Sequence, residues 1–356
     1  MKTDAPTQDI HDLAGRKKLT LRQAMDFTTT VNPLGPSAKT KNAVRKGLKI
    51  LHHYPDRHAR RLTGLVALRE GVPEENVLVC GSLKSLASAI FSAFHVRGVL
   101  FPSPYPSYYG QFLLPDTPGA GFSPLNEKDG FTMDINRWIR DMAGFDAAVI
   151  PSPSFVSAQA LSPEELGKIA EAARSRGTLL VIDESLREYQ GQPSLAQEVT
   201  GADRRLVIRS LTEYYSLAGL PVSYAIGEAK TLEHVRQHTS VTVPDTLSQN
   251  AVMAALKDRA YPGRTQVFMK RERSFIEENL RRIDGVSFFM TCCGFFVVSL
   301  KRPPSKPMET FLRYGIIVDE LETGQNERFM FLPIKDHKWN ARYLKTLKNI
   351  MGVPQK

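Results

Sequence analysis

Cysteine is scarce in this chain: its 356 residues include three, Cys80, Cys292 and Cys293. That number and spacing supply neither a disulfide framework nor a metal-ligand set. The adjacent pair lies in an apolar stretch and reads as reduced packing. Long hydrophobic runs are also missing. No segment reaches the roughly 18 apolar residues of a membrane span, so no membrane association is expected. The first residues, MKTDAPTQDIHDLAGRKK, are polar and hold no apolar signal core, which points to a cytoplasmic protein. His52, His53 and His58 have no partners at ligand spacing, so no metal is expected. Acidic residues are in deficit, 37 against 47 basic, for a net charge of +10. A basic balance of this size suits anions, nucleic acid or an acidic partner. The positive residues are nevertheless scattered, and no nucleic-acid motif organises them. Internal repeats and low-complexity segments are absent as well.

What is present is an ordinary soluble composition, 42% hydrophobic and 24% charged. The length exceeds one compact core and predicts a large domain with a smaller one. Residues 1–36 read as extended, ending in the turn-rich NPLGP. Helical spacing covers 39–51 and 57–70, the second stopped by Gly71, Val72 and Pro73. Short apolar strands follow at 77–80, 99–101, 147–150, 178–183, 205–210 and 222–227, with helices between, including 83–95. Ser162, Pro163, Glu164 and Glu165 form a helix start. Apolar strands alternating with helices predict a mostly parallel α/β sheet. After residue 247 come two long helices (247–259 and 264–283). They precede strands near 286–290, 294–299, 315–318 and 328–332, with helices at 307–314 and 337–350, which reads as a smaller α+β domain. The expected division is 1–50 joining the small domain, 51–246 as the large domain and 247–356 as the small one. Ligands of an open parallel sheet bind at the carboxyl ends of its strands. Five turns leave such ends: Gly81 and Ser82, 105–109, 151–157, Asp183 and Glu184, and 210–212.

At these turns the chain resembles fold-type I pyridoxal-phosphate (PLP) enzymes, in the group of histidinol-phosphate aminotransferases and threonine-phosphate decarboxylases. The resemblance rests on DFTTTVNPLGPS, HHYPDRHARRL and, without gaps, SLTEYYSLAGLPVSYAIG. It runs from about Asp26 to the C-terminus and implies a three-layer large domain. It also implies roles. Asp183 matches the carboxylate that keeps the pyridine nitrogen protonated. Gly81, Ser82, Ser210 and Thr212 match donors to the cofactor phosphate, and Tyr54 matches a tyrosine that reaches this phosphate from the partner of a homodimer. Tyr105 matches the aromatic stacked on the ring, with Tyr108 and Tyr109 as alternatives. Asn32, in the opening segment, and Arg328 stand as candidates for substrate contact.

The chain departs from that pattern at several points. The imine-forming lysine is Glu213, and a carboxylate cannot form an imine. Ser154 stands where an asparagine bonds the ring hydroxyl. Pro221 replaces the arginine on the phosphate, and Leu186 an aromatic. Met330 or Phe331 lies where an arginine meets the substrate carboxylate, with Arg328 two or three residues early. Three functions follow as alternatives. One is a non-transaminating descendant, a homodimer or a mixed complex, still taking a small anionic or amino-acid-like ligand. Another is a surviving enzyme that uses Glu213 or another lysine, such as Lys84, with PLP bound non-covalently or absent. The last is a basic binding protein for nucleic acid or an acidic partner.

Overall fold

A computed structural model describes Thr20 and residues 24–105, 119–191, 193–291, 294–321 and 329–352. Tyr108, Tyr109, Cys292, Cys293 and Arg328 lie outside the described residues. In chain order the strands are β1 Met25–Phe27, β2 Val77–Cys80, β3 Gly98–Ser103, β4 Gly119–Pro124, β5 Ala147–Pro151, β6 Leu179–Asp183, β7 Arg205–Ser210, β8 Ser223–Gly227, β9 Val286–Met290, β10 Phe295–Leu300, β11 Ile316–Glu320 and β12 Met330–Pro333. The helices are α1 Ala38–Gly47, α2 Arg60–Glu70, α3 Leu83–Ala93, α4 Ile135–Asp141, α5 Pro163–Arg176, α6 Arg187–Gln190, α7 Ala196–Val199, α8 Ala229–His238, α9 Thr246–Leu256, α10 Tyr261–Leu280, α11 Pro307–Leu312 and α12 His337–Ile350.

Seven strands form one sheet in the order β2-β8-β7-β6-β5-β3-β4, with β8 the antiparallel member. The mostly parallel sheet read from the sequence is therefore present. Its central strands are apolar without alternation because both faces are covered. Ala147 and Val149 of β5 and Leu179 and Val181 of β6 enter one core, with α3 and α8. Their neighbours Ala148, Ile150, Leu180 and Ile182 enter the other, with α2, α5 and α9. The period of two along each strand sends adjacent residues to opposite faces. Helix α5 starts as its sequence demands. Ser162 accepts from the Glu165 N–H, Glu165 reaches back to the Ser162 N–H, and Pro163 occupies the first turn.

The second sheet has the order β1-β11-β12-β10-β9. Here β1 lies parallel to β11, so the N-terminal segment completes the smaller sheet. One face packs on α10 and α12. From the other, Phe295, Val297 and Phe331 join the core on one face of the large sheet. Helix α9 sends Ala251, Val252 and Ala255 into the core on the opposite face of that sheet. Several elements escape the sequence reading, among them β1, β4, α4 and α8. Strand β4 (GAGFSP) has little strand propensity, yet it pairs in parallel with β3 along its whole length. Its Gly121 is required by packing, since a Cβ there would sit 1.9 Å from Phe145 Cζ.

Candidate functional site at the carboxyl ends of the sheet

Strand register brings most of the expected turns to one edge of the large sheet. Pro151 lies opposite Asp183, and Asp183 opposite Ile208. Ser223 of β8 lies opposite Cys80 on one side and Ser210 on the other. The turns that follow β2, β5, β6 and β7 therefore leave the sheet side by side. Cross-links tie them together. The Ser210 N–H donates to Ser185 Oγ (2.9 Å), and the Ser152 N–H donates to the Asp183 carbonyl (2.8 Å).

Asp183 is buried at the end of β6, and its Oδ1 accepts from the Ser185 N–H (2.8 Å). Glu213 follows β7 in a compact turn. Its carbonyl accepts from the amides of Asn32 (2.9 Å) and Ser216 (3.2 Å). As a residue Glu213 is half-buried, but its Oε2 is sealed from solvent and has no hydrogen-bond partner. Burial pushes its carboxyl above the ordinary glutamate value, while the nearby Ser210 pulls the other way. Ser210 Oγ also accepts from the Thr212 N–H (3.2 Å).

The other expected residues are placed as follows. Gly81 and Ser82 form the mouth of α3. The Gly81 N–H donates to the Thr242 carbonyl (2.7 Å), and Ser82 caps the helix through the Ser85 N–H. Ser154 is buried with its Oγ accepting from the amides of Val156 and Ser157 in its own loop (3.3 Å each). The Tyr105 ring is buried and stacks on Phe122, with centroids 5.5 Å apart. Asn32 is buried, and its side-chain amide donates to the Tyr214 carbonyl (3.1 Å) and Thr265 Oγ1 (3.0 Å). Tyr54 stands 90% exposed. Lys84 is exposed in the first turn of α3, beside a cleft of about 450 Å³ shared with Ser88 and Ser240. Met330, Phe331 and Leu186 are buried; Phe331 packs on Phe295 at 4.8 Å. The described residues at this position of β12 are apolar.

Behind the strand ends lies a buried ionic cluster that the sequence reading missed. Arg209 of β7 bonds Glu184, Glu70 Oε1 (2.6 Å), Ser194 Oγ (2.6 Å) and Tyr224 Oη (2.9 Å). The Tyr224 hydroxyl in turn donates to Glu70 Oε1 (3.0 Å). Arg187 and Arg69 both join through Glu70, and Arg69 also pairs with Glu188. The signal was present: a lone arginine inside the apolar run RLVIRS has to find an acid. The cluster ties β6, β7, β8 and α2 together directly behind Asp183 and Ser210.

Similarity to known proteins follows the same outline. The chain is 23% identical over 329 residues to a putative threonine-phosphate decarboxylase of Caldanaerobacter subterraneus, covering 90% of this chain and 89% of that protein. It is 29% identical over 343 residues to histidinol-phosphate aminotransferase 1 of Bordetella parapertussis, covering 93% and 94%. The fold superposes on the histidinol-phosphate aminotransferase of Sinorhizobium meliloti, solved in complex with pyridoxal-5'-phosphate. There the TM-score is 0.83 at 15% identity, with 96% and 94% of the two chains covered. Position 213 is a glutamate with one carboxyl oxygen sealed from solvent, a group that cannot itself form an imine, and Ser154 Oγ is turned onto its own loop. The scaffold is a different matter: the family match runs from residue 23 to residue 322, and the chain belongs to the aminotransferase class I and II family.

Proposed function

We propose that this chain is a non-transaminating member of its family, a pseudoenzyme of the threonine-phosphate decarboxylase-like branch that keeps the scaffold without the imine chemistry. The observation that carries this reading is Glu213. It sits on the turn after β7 with its carboxyl turned inward, where one oxygen has neither solvent nor a hydrogen-bond partner. An imine needs a nitrogen nucleophile, and removing the group that forms a covalent intermediate costs orders of magnitude in rate. Phe331 and Met330 add to the reading, because these two buried side chains themselves offer no cation to a substrate carboxylate.

The functional unit in this proposal is a homodimer. Leu48, Ile50, Leu51 and Tyr54 are all exposed within seven residues, which is costly unless another surface covers them. Sedimentation of the purified chain should give twice the monomer mass, and Leu51→Asp should return the monomer. A monomeric wild type would remove this part of the proposal.

The test of the main reading is a titration with PLP, followed in the visible region and quenched with borohydride. The expected result is no imine band and no reduced adduct in the intact mass. A trapped adduct on any side chain would overturn the reading. A second reading has one observation in its favour. The raised carboxyl of Glu213 is a group suited to proton transfer. It requires a substrate whose turnover disappears in Glu213→Gln.

A further inference from the structure

The positive residues look scattered along the sequence, but the fold gathers one group of them. Residues 38–61 hold eight lysines and arginines against a single acid, Asp56, a net +7 in a chain whose total is +10. Helix α1 itself contains no acid. It buries Thr40 and Gly47, and a Cβ on Gly47 would sit 2.8 Å from Leu247 Cδ2 of α9. At 3.6 residues per turn, the side opposite those two residues carries Lys41, Arg45, Lys46 and, in the turn Leu48–Ile50 that prolongs the helix, Lys49. All four are exposed. Lys41, Arg45 and Lys49 recur every fourth residue, a rise of about 6 Å each. The Asp56 turn rests on the same part of α9, because Gln249 Nε2 donates to the Asp56 carbonyl (3.3 Å). The exposed Arg57 and Arg61 therefore share the support of the Lys46 end of α1.

These charges are hardly answered within the chain. Of the eight, Lys39 pairs with Asp258 and Arg60 with Asp56. Among the described residues no acid pairs with the other six. Like charges held on one surface repel one another, a cost that an anionic partner removes. The side chains around them select the kind of anion. A lipid surface takes apolar side chains from the same face as the cations. A protein partner is held by an apolar core. The crest of α1 offers neither, since the other exposed residues on it are Ala38 and Asn42. Leu48, Ile50 and Leu51 come after the end of the helix, on the patch given above to the dimer. A phosphodiester backbone asks only for cations and donors. The row from Lys41 to Lys49 is about 12 Å long, the span of roughly three or four phosphates of one strand.

We propose that the crest of α1, with Arg57 and Arg61, binds the phosphate backbone of nucleic acid without reading its sequence. The proposal goes beyond the reading of Glu213 and does not depend on it, because none of these side chains belongs to the strand-end turns.

The experiment uses the full-length protein and fluorescein-labelled oligonucleotides of mixed sequence, single-stranded RNA and duplex DNA. Anisotropy titrations are run over a range of salt concentrations. Wild type is expected to bind with a Kd of about 10⁻⁶ to 10⁻⁴ M at physiological salt, and more weakly as salt rises. The variant Lys41→Gln, Arg45→Gln, Lys49→Gln should bind at least about tenfold more weakly. Its logarithmic salt slope should be shallower by about 2–3, on the order of 0.7–0.9 per lost phosphate contact. If that variant does not fold, Arg45→Gln alone carries the test, with a slope shallower by about one. The variant Lys338→Gln, Arg342→Gln, Lys345→Gln strips the same charge from the exposed side of α12 and should bind as wild type does. The proposal is overturned if wild type fails to bind at low salt, or if the α1 variant binds as tightly as wild type. An equal loss in the α12 variant would also overturn it, by reducing the effect to net charge. So would wild-type binding to phosphatidylserine vesicles or to polyglutamate as tight as to nucleic acid, which would make this a membrane or an acidic-protein surface.

Discussion

Replacing Glu213 with glutamine should stabilise the protein, and increasingly so as pH rises. Burial places the folded carboxyl above its ordinary value, so it titrates at higher pH than in the unfolded chain. Between those two values the folded state binds more protons than the unfolded state. Stability therefore falls as pH rises through that window. Above the window the carboxylate must be carried ionised in its sealed position, and the full penalty applies. Glutamine leaves a polar atom in the same sealed place, so the gain is the cost of the charge alone, about 1.4 kcal/mol for each unit by which burial raises the carboxyl. For 356 residues at roughly 2.1 cal/mol/K of unfolding entropy per residue, 1 kcal/mol corresponds to about 1.3 °C, so each such unit adds about 2 °C. Glutamine keeps the shape and an acceptor for the Ser210 hydroxyl and cannot ionise. Calorimetry of wild type and Glu213→Gln at an acidic and a mildly alkaline pH decides the matter. The melting temperatures should diverge toward alkaline pH. A variant with a lower melting temperature at both, or an offset that does not change with pH, would refute the reasoning.

The remaining predictions concern the scaffold. Arg209→Met leaves Glu70 and Glu184 buried without their shared cation and should cost about 3–5 kcal/mol in urea unfolding; a loss under 1 kcal/mol would show that the cluster is not tightly coupled. Ser162→Ala removes the reciprocal cap of α5 and should cost about 1 kcal/mol by the same assay. Lys335 is buried with its Nζ on the Thr29 carbonyl (2.8 Å), and desolvation pulls its amine down to about 8. Its folded value lies below the unfolded one, so the unfolded chain binds the extra proton between them and stability rises with pH in that alkaline window; Lys335→Met should flatten this rise.

The parts of the fold legible in the sequence are those set by local chemistry. The runs AAVI, LLVID and RLVIRS have apolar centres without alternation because both sheet faces are covered, and they appear as strands within a residue or so of their expected bounds. Ser162 and Pro163 announce α5 through the orphan amides of its first turn. Strand β4 was illegible because its pairing comes from β3, and its glycines answer to the Phe145 ring rather than to any strand preference. At the site, Asp183 could be located from the acid that ends an apolar strand. The sealing of Glu213 Oε2 could not, because it is a tertiary fact; even the backbone of its turn is held by the Asn32 amide, 181 positions away. The Arg209 cluster was half legible. The arginine inside an apolar strand signals a buried partner, but the choice of Glu70, 139 positions away, is a tertiary fact.

This division explains how the family scaffold accommodates the glutamate at position 213. The determinants of folding are the apolar strand faces, the caps and the ionic cluster. They lie in or behind the sheet, and the cluster fixes β6, β7 and β8 without using any group that faces a ligand. The determinants of imine chemistry would lie in front of it, as polar side chains on turns whose apolar residues, Leu211, Tyr214 and Phe155 among them, enter the cores. A glutamate on one of those turns adds a local penalty of a few kcal/mol at most, and the Ser210 hydroxyl offsets part of it. The two sets are separable in energy because they are separable in space. Changes at Glu213 should therefore alter ligand binding strongly and folding weakly, while changes at Arg209 should do the reverse. Measuring both quantities for Glu213→Ala and for Glu70→Gln, the milder lesion in the cluster, tests that separation. If Glu70→Gln altered PLP binding as strongly as Glu213→Ala at equal folded fraction, the scaffold and the site would be one coupled unit and the argument would fail.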